Sequence, residues 1–183
     1  MDAQTETPAS AQKPVSPVRG DDIRQRPLRL RLYPDQSLRG VAKHVEACDR
    51  HVDALAGDML EVMHRHKGIG LAAPQVGLRL RVIVADIGDG PLAVVNPLVV
   101  PVGLDSDVMA EGCLSLPGVQ LDLRRLMHIE LHGADPSGNP LHVELKGLMA
   151  RVVQHEVDHL DGILICDYPP PVPDVLRAMK GLE

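Results

Sequence analysis

The sequence predicts an α+β fold in which mostly antiparallel strands pack around a central helix carrying two histidines, with a long N-terminal helix and a short C-terminal helix. Three observations predict it. Apolar residues from Ser37 to about His66 recur at spacings of three, four or seven. Several short β-branched runs between residues 78 and 146 are broken by turn-forming residues. The stretch "QHEVDHL", 154–160, continues an apolar helical pattern that begins near Gly147.

In chain order, residues 1–27 are rich in Pro, Ser, Ala, Gln and Thr and lack the apolar stretch of a signal peptide. They read as a flexible leader to a single domain over 28–183. The first helix places Leu38, Val41, Val45, Val52, Leu55, Met59 and Met63 on one stripe, with Ser37 as N-cap and Gly68 past its end. Cys48 lies on that stripe and reads as a small core hydrophobe. "LRLRVIVADI" (78–87) and "PLAVVNPLVV" (91–100), separated by "GDG", read as paired strands. Further strands fall near 107–116, in "LMHIELHGAD" and in "LHVELKG", the last two joined by the turn "PSGNP". The second helix runs from Gly147 to Leu160. A last strand, "ILICD", with Cys166 in the core, is stopped by prolines, and a helix of about eight residues closes the chain.

Composition excludes several function classes. A chain of 183 residues can build one substantial core. It has no Phe or Trp and two Tyr, so that core is aliphatic and aromatic stacking on bases is not a binding mode. A net charge of -6 leaves no basic field for phosphates, which argues against direct nucleic-acid binding. No apolar run approaches the roughly 20 residues of a membrane span. Three cysteines make no disulfide framework and fit a reducing, cytoplasmic setting.

Chemistry concentrates in "QHEVDHL". On a helix, His155 and His159 share one face a turn apart and can hold zinc or another divalent ion, while Glu156 can serve as proton carrier. A catalytic centre needs a third protein ligand. The metzincin spacing would place it at residue 165, which is Ile, and the only later glutamate is Glu183. The third ligand is therefore upstream, or an aspartate such as Asp167. Upstream, Cys113 in "EGCLSLPG" stands either as a thiolate ligand or as a buried structural thiol. A zinc endopeptidase shares the two histidines and the glutamate. A closed structural site would need a fourth ligand, for which Cys166 and Asp167 are the nearby candidates.

Three stretches in order, "GIGLAAPQ" (68–75), "EGCLS" (111–115) and "QHEVDHL" (154–160), resemble the signature motifs of the peptide deformylases. The likeness extends through "YPDQSLR", "VVNP" and "HLDGIL", over about residues 28–168. The resemblance implies a metal-dependent hydrolase that removes the N-formyl group from formylmethionine at the start of new polypeptides and releases formate. It implies Cys113, His155 and His159 as ligands to one metal, natively Fe(II), with Zn, Ni or Co as substitutes. It implies Glu156 as proton carrier, with the Gln75 amide and the Leu114 backbone N–H as donors to the formyl oxygen. Substrate would lie beside Ile69 and Gly70 with Gly112 opposite, its methionine among Ile69, Leu148, Val152 and the face of His155. Glu111 and Arg125 are expected to pair and fix the loop presenting Cys113. The implied partners are N-formylmethionyl nascent peptides. With only Arg177 and Lys180 in "PDVLRAMKGLE", no more than a transient ribosome encounter is expected.

Overall fold

The computed structural model describes residues 28–169. The expected leader, 1–27, and the closing helix after the prolines lie outside the described residues. Seven strands and two α-helices follow in the order α1 (Arg50–Arg65), β1 (Gly70–Ala72), β2 (Val82–Ala85), β3 (Leu92–Pro101), β4 (Ser106–Cys113), β5 (Leu116–Leu126), β6 (His128–Ala134), β7 (Pro140–Lys146) and α2 (Gly147–Leu160). All strand pairs are antiparallel. They form a five-stranded sheet, β1-β2-β3-β6-β7, and a two-stranded ribbon, β4-β5. This is the expected α+β class.

The uninterrupted apolar run "VIVA" makes β2 a strand covered on both faces. Val82 and Val84 pack with Val52, Leu55, Met59 and Met63 of α1. Ile83, pointing the other way, packs with Ala150, Val153 and Leu160 of α2. The sheet thus lies between the helices, and α2 is the central one.

The first helix is shorter than the periodicity predicts. Residues Gln36–Arg39 form a 3-10 turn capped by Asp35, and α1 begins only at Asp49, whose carboxylate accepts from the His51 and Val52 N–H groups. Between them the backbone is used by tertiary partners. Ala42 N–H donates to Leu160 O at 2.7 Å, and Val45 exchanges two hydrogen bonds with the Asn96 side chain. Val45 joins the α1 cluster, but Leu38 is buried in a different one and Val41 is 68% exposed, so the first part of the apparent stripe shares no common face.

"ILICD" is likewise not a strand. Ile165–Asp167 form a 3-10 turn in which the Asp167 carboxylate accepts from Leu164 N–H, while Leu164 and Ile165 pack beside Leu38 and Leu123. Cys166, expected in the core, is exposed. Cys48 is half-buried against the α1 cluster. β5 is a strand the sequence analysis did not include: Val119, Leu121 and Leu123 alternate with polar residues, yet of these three only Leu123 is buried. Replacing the true cap, Asp49→Ala, should cost about 1 kcal/mol in urea unfolding, whereas Ser37→Ala should leave α1 unaffected.

Candidate active site

One face of α2 is apolar and packs on the sheet through Ala150, Val153 and Leu160. The other carries Arg151, Val152, His155, Glu156 and His159, all buried. Intervals of four residues align Arg151, His155 and His159 in one row along the helix. Facing this row is Cys113, the last residue of β4. Its Sγ lies 3.2 Å from His159 Nε2, and ligand atoms of Cys113, His155 and His159 all fall within 4.8 Å of one another.

A thiol sulfur and two imidazoles, converging and buried, suit zinc, ferrous iron or a neighbouring divalent ion. Three protein donors are also the number that leaves a coordination position free for chemistry. His155 Nδ1 meets Glu111 Oε2 at 3.0 Å, which orients the ring and directs its other nitrogen toward the centre. Burial alone would lower the His155 pKa, but Cys113 and Glu111 outweigh it and raise it to about 10. The surroundings therefore favour positive charge there, as a cation site requires. Burial, reinforced by the charges of His155 and Arg125, holds His159 well below its ordinary range, in the neutral form a ligand needs.

Glu111 connects the centre to the rest of the fold. Although burial opposes its charge, His155, Arg125 and Arg151 hold its pKa down at about 2. Arg125 grips both carboxylate oxygens at 3.0 Å, and Arg151 Nη1 donates to Oε1 at 2.7 Å. The expected Glu111–Arg125 pair is thus present, and Arg151 is a partner the sequence reading missed. Its position four residues before His155 was the available signal. Two further residues of α2 belong here. Asp158 accepts from Arg125 and from the Tyr168 hydroxyl, and the Gln154 amide spans the Leu126 N–H and C=O.

Glu156 is 4% exposed, and burial pushes its carboxyl up to about 7. Its Oε2 has no hydrogen-bond partner among the described residues. A Cβ on Gly70 would strike this carboxylate and come within 2.8 Å of Val152, so only glycine lets β1 run this close. Gln75 is 1% exposed. Its Oε1 accepts from Ala72 N–H at 2.8 Å, aiming Nε2 at Ser115 Oγ (3.2 Å) and Cys113 Sγ (3.6 Å).

These groups line a cleft of about 750 Å³ between β1 and β4. Ile69, Gly70, Gln75, Gly112, Cys113, Leu114, Leu148, Val152, His155 and Glu156 all border it, and His159 lies behind Cys113. Ile69 and Leu148 are each 44% exposed, so Leu148 is not a core residue. β1 is a sheet edge. Because Asp86 N–H bonds Ile69 O and Gly70 stands opposite Ala85, antiparallel alternation turns the Gly70 N–H and C=O away from β2, toward the cleft. Asp167 is held by Arg39, and neither it nor Cys166 belongs to the donor cluster, which removes the closed four-ligand reading.

Fold and site define a metal-dependent hydrolase whose H-E-x-x-H helix meets an upstream cysteine beside an open strand edge. The chain belongs to the polypeptide deformylase family, whose model matches residues 27–172. A peptide deformylase of Thermotoga maritima is 40% identical over 155 residues, covering 85% of this chain and 94% of that protein. One from Chromohalobacter salexigens is 43% identical over 153 residues, covering 81% and 90%. The crystal structure of the Thermotoga maritima peptide deformylase superposes with a TM-score of 0.77 at 39% identity, covering 80% of this chain and all of that one. A Synechococcus elongatus peptide deformylase in complex with actinonin gives 0.75 at 38%, covering 85% and 87%.

Glu111→Ala should destabilise the fold by about 3–5 kcal/mol in urea, because it strands two buried guanidinium groups. The depressed Glu111 pKa stabilises the fold above its ordinary 4.5, and this contribution should fade as pH falls toward about 2. Urea midpoints between pH 6 and 2 should show that loss, and Glu111→Gln should lack it.

Proposed function

We propose that Cys113, His155 and His159 hold one divalent metal ion, natively Fe(II), and that Glu156 carries the proton in the hydrolysis performed there. Zinc, nickel or cobalt would fit the same donors. As a polypeptide deformylase, the chain is a hydrolase that removes the N-formyl group from newly synthesised polypeptides. The observation that carries the residue assignment is the buried carboxyl of Glu156, raised to about 7 at the floor of a cleft bounded by a free strand edge.

Held by these three residues, the ion would lower the pKa of a water and polarise the formyl carbonyl. Glu156 would accept a proton from the water that attacks the formyl carbon and deliver it to the departing amine nitrogen. The C–N bond breaks, giving formate and a free amino terminus. A carboxyl titrating near 7 can both take and return a proton at neutral pH. Gln75, locked by Ala72 and Ser115, directs Nε2 to the formyl oxygen, and the Leu114 backbone N–H is the second donor.

The peptide adds to β1 through the Gly70 main chain, with Gly112 across the cleft. Main-chain pairing accepts many sequences, and selectivity comes from the methionine side chain among Ile69, Leu148, Val152 and the face of His155. Residues 28–183 act as one catalytic domain, working in the cytoplasm on nascent chains met by transient encounter with the ribosome. Among the described residues no helix is long and apolar enough to cross a membrane.

The test is formate release from formyl-Met-Ala-Ser by anaerobically prepared protein loaded with Fe(II) or Ni(II). Glu156→Ala should keep its metal and lose at least about 10²-fold in kcat. Gln75→Leu should lose about 10²–10³-fold in kcat, as removal of an oxyanion donor does. Metal loss from Glu156→Ala would overturn its assignment as proton carrier rather than site-builder. The Fe(II) form should lose activity in air while the Ni(II) form keeps it, followed as turnover against hours of aeration.

A further inference from the structure

β6 and β7 pair with His128 opposite Lys146, Glu130 opposite Glu144, and His132 opposite His142. Ile129, Leu131, Leu141, Val143 and Leu145 between them point toward α2. By strand alternation the six polar residues share the face turned away from α2. Every pair on that face sets like against like, which costs stability in a sheet unless something compensates.

Compensation runs diagonally and along each strand. Glu144 meets His128 at 2.5 Å and Lys146 at 2.9 Å. Glu130 meets His132 at 3.2 Å and His142 at 3.3 Å. The second group differs in kind from an ordinary ion pair. Its two imidazoles are stacked, centroids 4.2 Å apart and planes 15° apart, and both direct Nε2 at the same oxygen, Glu130 Oε2. For donors about 2.0–2.1 Å from a tetrahedral ion, the donor-to-donor edge is about 3.3 Å. The two nitrogen-to-oxygen distances match that edge.

We propose that Glu130, His132 and His142 form a second site for a divalent transition ion, Zn(II), Ni(II) or Cu(II), separate from the Cys113 centre. Neutral imidazole suits these ions, and a carboxylate completes a three-donor set. The ligand atoms lie within 4.8 Å of one another, and the side chains are 39%, 39% and 61% exposed, so the outward positions admit water. An ion there converts a like–like histidine pair into a cross-link between β6 and β7. β7 is the far edge of the five-stranded sheet, so the site clamps an edge strand that has one backbone neighbour.

The full chain, freed of any affinity tag, is titrated with Co(II) and then Zn(II), using calorimetry for stoichiometry and absorption for ligand type. The first equivalent should show thiolate-to-cobalt charge transfer from Cys113. A second equivalent should bind without adding to that band. His132→Ala, His142→Ala and Glu130→Gln should each weaken the second equivalent by at least about tenfold, since even outer partners of a metal site contribute that much. The first equivalent, its thiolate band and turnover should be unchanged in all three, which also reports that they fold. A wild type that binds one equivalent overturns the proposal, as does a second equivalent that survives in the His132→Ala, His142→Ala double variant.

Discussion

The buried carboxylate of Glu111 is the interaction on which the site depends. It sits near the end of β4, accepts from Arg125 on β5, and reaches α2 through Arg151 and His155. The ribbon and the central helix are therefore joined by charge as well as by packing. A carboxylate out of water is tolerated only when its lone pairs are filled, and two guanidinium groups and an imidazole fill them. The same bonds set the His155 ring and fix the strand end that presents Cys113. Arg125 extends the network to Asp158 and Tyr168, and Arg151 ties it to the backbone carbonyls of Asp107 and Leu123.

The cleft follows from the way the two sheets end. β1 and β4 each have one paired neighbour, and the space between them is floored by α2. An unpaired strand edge is usually a hazard for association, but here it opens onto a cleft lined by both polar and apolar side chains, beside Cys113 and His155. Close approach depends on small residues. A side chain at Gly68 would meet Leu114, and one at Gly70 would meet Glu156 and Val152, so the first signature stretch packs directly on the other two.

The site was more legible than the fold. H-E-x-x-H carries its geometry within one helix turn, and Cys113 entered through a resemblance that ties three distant stretches together. Elements stabilised by local periodicity and deep burial, such as α2 and β2, were readable. The segment 37–48 was not. Its apolar residues keep helical spacing, yet each is buried against a different partner or left in solvent, and its backbone hydrogen bonds go to Asn96, Leu160 and Arg79. Arg151 and Asp158 carry no local sign of their pairing, because a charged residue on a helix is ordinarily a solvated one.

By itself the sequence determined the class of fold and the helix that carries His155, Glu156 and His159 on neighbouring positions, which follow from side-chain chemistry and from spacing along one element, whereas Cys113 as their partner came from the resemblance across three distant stretches. Tertiary structure alone decided which charges are buried, which strand edge stays open, and that Asp167 turns to Arg39 rather than to a metal. Those outcomes depend on pairs far apart in the chain, such as Glu111 with Arg151 and Gly70 with Glu156. No local pattern encodes them, because burial and pairing are set only when the elements close on one another.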